Sequence, residues 1–363
     1  PTAVPADVQA DWQADLGGKL SGPVVAGGRV FVAQVDAHTV WALDAASGET
    51  LWHFTASGRV DSPPTVVQGL VLFGSADGHV YCIRASDGQL IWRFRAAPDD
   101  LRMGAFDQVE SVWPVHGSVL IQDDTLYCVA GRSMFLDGGL RLLRLDPKTG
   151  KKISETVLDD RDPATEENLQ VHIQGLNMPV ALPDVLSSDG KYVYMRSLPF
   201  DLEGNRKFVT YVNVREQQGD DVHLFSPTGF LDDTLWHRTY WVYGRAFASG
   251  AGGYHQAGRV APAGRLLVFD QDTVYGYGRL WQYYRWTTPL EFHLFAAPRN
   301  KVGQLKVSPP RKKRQPKGKA APKTQPKKEK IPTGYLWSKQ YPILARAMCK
   351  AGNAIYVAGV RDV

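Results

Sequence analysis

An all-β propeller of four-stranded antiparallel blades is the fold class this sequence predicts, on three observations. Trp12, Trp52 and Trp92 stand forty residues apart. The last two close near-copies of one phrase, ALDAASGETLW at 42–52 and CIRASDGQLIW at 82–92. Short alternating apolar runs separated by Gly, Asp and Ser turns lie between them, as expected of a small sheet that buries both faces against neighbouring copies. At 363 residues, 44% of them apolar, the chain exceeds the size at which one compact core keeps growing, and stacked repeats remove that limit.

The first repeat predicts strands near 22–26, 29–35, 39–44 and 49–55, with turns at 27–28 and 46–48. The second predicts 64–67, 70–75, 79–84 and 89–95, and Pro23, Gly48 and Trp52 recur as Pro63, Gly88 and Trp92. A glycine four residues before each tryptophan suits a tight hairpin that needs positive φ, and the indole then covers the blade edge. A third blade spans 112–157, with Ser154 where the tryptophan should stand. Beyond it the pattern diverges over 180–363: a fourth blade is expected at 180–243, a fifth at 264–340, and the first two strands of a sixth at 345–360. ADWQADL at 10–16 reads as an outer strand without its first three. The whole reads as one propeller over 1–363 with about six to eight blades, interrupted in mid-blade at each end and therefore part of a larger parent chain.

The net charge of +5 hides a division. Residues 301–330 hold twelve Lys/Arg, one acidic residue and five prolines, whereas the rest carries 30 basic and 36 acidic groups, a net of −6. Dense like charge and low hydrophobicity predict a flexible insert. It could bind an anionic polymer through counterion release, or simply aid solubility. Cys82, Cys128 and Cys349 sit in apolar strand-like runs and read as buried thiols; an odd count excludes a fully paired disulfide framework, and no spacing suggests zinc. No apolar run reaches the 18 residues a membrane helix needs. The chain opens at Pro1 with neither a methionine nor a basic-then-apolar leader, which leaves its compartment open.

The phrase ALDAASGETLW, with VFVAQVDAHTV before it, resembles the PQQ-like propeller repeats of quinoprotein dehydrogenases and of the lipoprotein subunit of the outer-membrane barrel-assembly machinery. The likeness is clearest over 20–95, weaker over 112–157 and faint beyond. FLDDTLWHRTYWVYGR and VAPAGRLLVFD also resemble multi-blade propellers of planctomycete bacteria. The resemblance implies a bacterial protein of the periplasm or of an extracellular envelope layer. Family dehydrogenases hold a quinone beneath an adjacent cysteine pair, with calcium on carboxylate and amide ligands. This chain has no adjacent cysteines, so no cofactor is expected.

In a propeller, loops joining second to third strands share one face with the blade-to-blade connectors. On this assignment the insertions at 96–111, 131–139, 158–179, 197–221, 244–263 and 279–289 all fall on that face, and the 301–330 insert falls on the other. Function concentrates on loops that a rigid scaffold presents. Candidate catalytic groups there are Asp107, Glu110, His116 and His255. Candidate ligand-binding groups are Trp113, Arg132, Asp137, Arg238, Tyr254, Tyr283, Tyr284, Arg285 and Trp286, while His237 alternates into a strand. Carboxylates beside aromatic platforms suit carbohydrate. A solvated loop, turn histidines and a packed blade edge explain the same residues without any site. GAGG at 250–253 lacks the strand-to-helix setting of a phosphate loop, and no HExxH, GxSxG or P-loop pattern occurs. The leading reading is an interaction scaffold that binds a protein or polysaccharide partner on the elaborated face. The rivals are a carbohydrate lyase or hydrolase at the channel mouth and a PQQ-dependent oxidoreductase.

Overall fold

The computed structural model describes residues 9–168, 183–196, 198–207, 218–226, 240–246, 258, 261–280, 292–299 and 334–362. Blade 1 comprises β1 (Val24–Ala26), β2 (Arg29–Gln34), β3 (Thr39–Asp44) and β4 (Thr50–Thr55), paired in that order. Blade 2 repeats the plan with β5 (Thr65–Val67), β6 (Leu70–Gly74), β7 (His79–Arg84) and β8 (Leu90–Arg95). A two-stranded hairpin, β9 (Arg102–Ala105) and β10 (Gln108–Ser111), precedes blade 3, which is β11 (Leu120–Gln122), β12 (Thr125–Ala130), β13 (Leu140–Leu145) and β14 (Lys152–Leu158). The expected strand positions of the first two blades hold to within a residue or two, and the strands of the third run from 120 to 158 within a blade expected at 112–157.

The core lies between blades. In blades 1 and 2 the middle strands are the most buried, and those of blade 2 meet blade 1 on one face and blade 3 on the other. Phe31, Val40, Trp52, Phe73, Tyr81 and Ile83 fill the space between those two blades, with the Phe73 and Tyr81 rings stacked 5.4 Å apart. Outer strand β8 alternates between exposed and half-buried residues. That alternation is the pattern of a sheet edge facing solvent.

Each tryptophan of the repeat docks on the blade that follows it. The indole N–H of Trp12 donates to the Ala45 carbonyl, that of Trp52 to Ala85 and that of Trp92 to Pro147, each at 3.1 Å. The ring lies against a glycine of the same turn. A Cβ at Gly88 would sit 2.7 Å from the Trp52 ring and one at Gly150 2.7 Å from Trp92, and Gly48 meets Trp12 in the same way. These glycines also hold φ of +73° to +75° at Gly88 and Gly48. The glycine is therefore fixed twice, by turn geometry and by the approach of the neighbouring indole. A register shift recurs beside the turn in blades 1, 2 and 3, at Ala42/Leu43, Cys82/Ile83 and Arg144/Leu145. Such a bulge re-aims the strand that carries the indole.

Ser154 breaks the series and the fold compensates. Arg144, paired opposite Ser154, sends its guanidinium to the Glu203 carbonyl at 3.3 Å, and the Tyr127 hydroxyl donates to Leu202 O at 2.6 Å. Both acceptors lie in the turn of the following blade. Polar side chains of inner strands thus replace the missing indole as the tie between blades 3 and 4.

Two expectations are corrected beyond residue 180. The single blade expected at 180–243 is divided between two sheets, each with three strands among the described residues: β15 (Ser187–Ser188), β16 (Tyr192–Met195) and β17 (Leu198–Asp201), then β18 (Gln218–Phe225), β19 (Trp241–Ala246) and β20 (Ala263–Gly264). The stretch 197–221 is also not one face loop. Residues 198–201 pair with β16 as a third strand, and the turn that follows at 202–205 docks on blade 3 from the opposite face. Divergent repeats hid both features, because no tryptophan or ASG-type turn marks them. The next sheet, β21 (Leu266–Phe269), β22 (Thr273–Arg279), β23 (Phe292–Pro298) and β24 (Trp337–Lys339), matches the blade expected at 264–340. A final pair, β25 (Ile343–Ala351) and β26 (Ala354–Arg361), follows it. Cys82 and Cys128 are buried as expected, but Cys349 is exposed. Among the described residues no helix is long and apolar enough to cross a membrane. The 301–330 insert lies outside the described residues.

Candidate functional site on the top face

The face carrying the second-to-third strand turns and the blade connectors is called the top. Over blades 1 to 3 its dominant feature is the hairpin of β9 and β10. Ala105 pairs with Gln108, so Phe106 and Asp107 form a two-residue turn, and both hold positive φ, 52° and 59°. Such a turn matches the twist of the strands, yet it favours Asn and Gly, and an aromatic residue there is strained. Strain of this kind persists only where surrounding structure over-determines it.

The surrounding structure here is a buried chain of charges. Within the hairpin, pairing places Glu110 beside Met103 and Gln108 beside Ala105 on one face, and Val109 with Gly104 on the other. The Glu110 face turns into the protein. Glu110 is 1% exposed, and its carboxylate takes the Arg59 guanidinium at 2.8 Å on one oxygen and Arg132 on the other. Arg59 comes from the connector between blades 1 and 2, Arg132 from the β12–β13 loop. Arg59 also forks onto Asp61 at 3.1 and 3.3 Å, and Asp61 accepts from His116 Nδ1. Burial opposes ionisation of Asp61, but the bonds and charges of His116 and Arg59 outweigh it and hold the carboxyl down to about 2. The same balance raises Arg59: burial pushes it down, and Asp61 and Glu110 more than restore it. Buried ion pairs of this kind link the elements that supply them.

Above the network the Arg59 guanidinium lies 4.3 Å from the Phe106 ring centroid. Gln108 ties the hairpin sideways, meeting His38 Nε2 at 2.7 Å and donating to Asp36 O at 3.1 Å in the β2–β3 turn. The Trp113 indole donates to Asp137 O at 2.8 Å, joining the blade 3 entry to the β12–β13 loop. Clamped in this way, the hairpin holds apolar side chains in water: Phe106 is 73% exposed, Val109 63% and Leu101 53%.

Of the residues singled out from sequence, Glu110 and Arg132 come together as one ion pair, and Trp113 and Asp137 meet through a backbone carbonyl. Asp107 and Glu110 do not form a pair of acids over a common space. Asp107 is exposed at the hairpin tip and Glu110 is buried between two guanidiniums. Glu110 lies within two ion pairs, and His116 meets the Asp61 carboxylate through Nδ1. Arg238, Tyr254, His255, Tyr283, Tyr284, Arg285, Trp286 and His237 lie outside the described residues. Arg59 and Asp61 were missed, since they sit in the short connector GRVDSPP and not in an insertion. An arginine and an acid two residues apart at the same face was the signal available.

The described residues do not fit a quinone-and-calcium centre. Cys82 and Cys128 lie on strands of different blades, with burial pushing both thiols up to about 12, and no group of three His, Cys, Asp or Glu could hold a metal among the described residues. A concavity of about 710 Å³ is lined by residues in or beside first strands, such as Val66, Leu120 and Leu186, with Pro64 and Trp241. Among the described residues its wall is mainly apolar and holds no carboxylate.

Fold and site together define a propeller with a clamped, apolar hairpin on its top face. The family model described as outer membrane protein assembly factor BamB, a PQQ-like repeat family, matches residues 5–199. The chain belongs to this family. Among curated relatives, the outer membrane protein assembly factor BamB of Nitrosomonas eutropha is 32% identical over 95 residues, 26% of this chain and 23% of the relative. That of Xanthomonas campestris is 36% identical over 91 residues, 25% and 22% of the two chains. The chain thus spans about a quarter of the length of the curated relatives it matches. The crystal structure of BamB from Moraxella catarrhalis aligns over 73% of this chain and 69% of that one, at 16% identity and a TM-score of 0.40.

Proposed function

We propose that this chain is an interaction module of the bacterial envelope that binds a protein partner on its top face through the 102–111 hairpin. The observation that carries the reading is a hairpin held rigid by buried ion pairs while it presents Phe106, Val109 and Leu101 to water. A rigid apolar anchor needs little further ordering on binding, and exposed aromatic anchors dominate interface energetics. Relatives bearing the name outer membrane protein assembly factor support an envelope setting and a protein partner. No observation favours a glycan-cleaving site, since the two acids of the hairpin face different surroundings.

The test is retention of envelope proteins by the immobilised chain, compared with a Phe106→Ser/Val109→Ser variant of unchanged thermal stability. One protein held by the parent chain and lost by the variant is the expected result. Equal retention by both overturns the assignment of the hairpin.

A further inference from the structure

The top-face hairpin contains a glycine that its own structure does not require. Gly104 stands in β9 outside the positive-φ region, and a Cβ placed on it would meet nothing within 4 Å. Gly48 and Gly88, by contrast, are fixed by φ and by an indole. A glycine inside a strand gives up side-chain packing and backbone entropy, and it marks places where a ligand or another backbone comes close. The cross-strand partner of Gly104 is Val109, so the outward face of the hairpin is a bare stretch of backbone beside an exposed valine. Leu101 and Phe106, both exposed, flank β9 at its two ends. The charges around this ledge are mainly of one sign. Of the exposed ionisable residues at 99–110, Asp99, Asp100 and Asp107 are acidic and Arg102 alone is basic, and Arg102 is already paired with Asp100 at 3.2 Å. Asp99 and Asp107 have no counter-ion among the described residues, nor has Asp137 in the adjoining β12–β13 loop. Unpaired carboxylates oppose an anionic lipid surface and favour a cationic partner.

We propose, on the reading that this hairpin is the interface, that its outward face takes an extended cationic segment of a partner polypeptide. Aliphatic residues at the centre of that segment lie over Gly104 and Val109. Lys or Arg on either side of them reach towards Asp99 at the base of the hairpin and Asp107 at its tip. The bare backbone at Gly104 lets the partner's main chain approach closely, and the apolar contact with Val109 and Phe106 supplies the affinity. The flanking carboxylates steer encounter and reject acidic partners, which is the usual contribution of charge at an interface.

The experiment pans a random peptide display library against the intact chain and measures each enriched peptide by fluorescence anisotropy on the chain and its variants. Peptides with an aliphatic centre flanked by Lys or Arg are expected, with binding that weakens several-fold as salt rises. Gly104→Gln brings no backbone strain and meets no neighbour, so it should leave thermal unfolding unchanged and weaken binding about tenfold or more. Asp107→Asn suits the turn's φ of 59° and should weaken binding several-fold while reducing its salt dependence. Enriched peptides that are acidic or uncharged, or that bind Gly104→Gln as tightly as the parent chain, overturn the proposal; if Phe106→Ser/Val109→Ser still abolishes their binding, the hairpin stands as the interface. Peptides bound equally by Phe106→Ser/Val109→Ser overturn the hairpin reading as well. No enrichment overturns the extended segment alone, because retention of envelope proteins tests the hairpin separately. Phe106-dependent sedimentation with phosphatidylglycerol vesicles also overturns the proposal, since a membrane would then be the occupant.

Discussion

Glu110 is the residue on which the top face depends. Its two oxygens meet two guanidiniums inside the protein, so its charge, rather than its size, is what the site requires. Glu110→Gln preserves shape but leaves Arg59 and Arg132 without their shared counter-ion. Breaking a buried pair in this way costs about 3–5 kcal/mol. Denaturant unfolding should show that loss, and Arg59→Met added to Glu110→Gln should recover part of it. Asp61 gives the network a pH signature. Its carboxyl titrates near 2 when folded and near 4 when unfolded, so its contribution is complete above the unfolded value and is lost as pH falls from about 4 through 2. The shift corresponds to roughly 2–3 kcal/mol. Unfolding free energies at pH 7 and pH 2.5 should therefore differ less for Asp61→Asn than for the parent chain.

At the scale of the element, the repeated turn and its indole can be separated by experiment. Gly88 and Gly204 both hold positive φ, +73° and +90°. A Cβ at Gly88 meets the Trp52 ring at 2.7 Å, whereas at Gly204 the nearest atom is Arg144 Cδ at 3.4 Å. Backbone strain is common to Gly88→Ala and Gly204→Ala, so the difference between them reports the clash alone, expected at about 1–3 kcal/mol. Equal losses, measured by thermal unfolding, would remove indole docking as the reason for Gly88. These elements also show what the sequence made legible. ALDAASGETLW revealed its blade because a single phrase encodes the third strand, the turn and the docking residue together. Blade 4 was misread because its tie to blade 3 runs through Tyr127 and Arg144, ordinary strand residues whose partners are backbone carbonyls of Leu202 and Glu203. A carbonyl acceptor leaves no mark in sequence. The hairpin was legible as an insertion at 96–111, but its orientation was not. Arg59 and Arg132 reach Glu110 from different blades, and only the ring geometry brings them there.

Across the whole molecule, blades are joined mainly by what passes between sheets: apolar packing, one indole per blade in the clear repeats, and polar substitutes where the indole is lost. This construction leaves connectors and turns free to vary while the sheets stay fixed, and it explains why the top face can carry an ion-paired hairpin. The acidic body and the basic stretch at 301–330 remain separate in sequence. We propose that the top-face hairpin is where a partner binds. The most direct measurement is site-specific photocrosslinking in the living cell, with a photoreactive residue in place of Phe106 or, as control, in place of Ile153, which is also exposed but lies on outer strand β14. One discrete protein adduct is expected from position 106 and none of that mass from 153. No adduct from 106, or the same adducts from both positions, would contradict it.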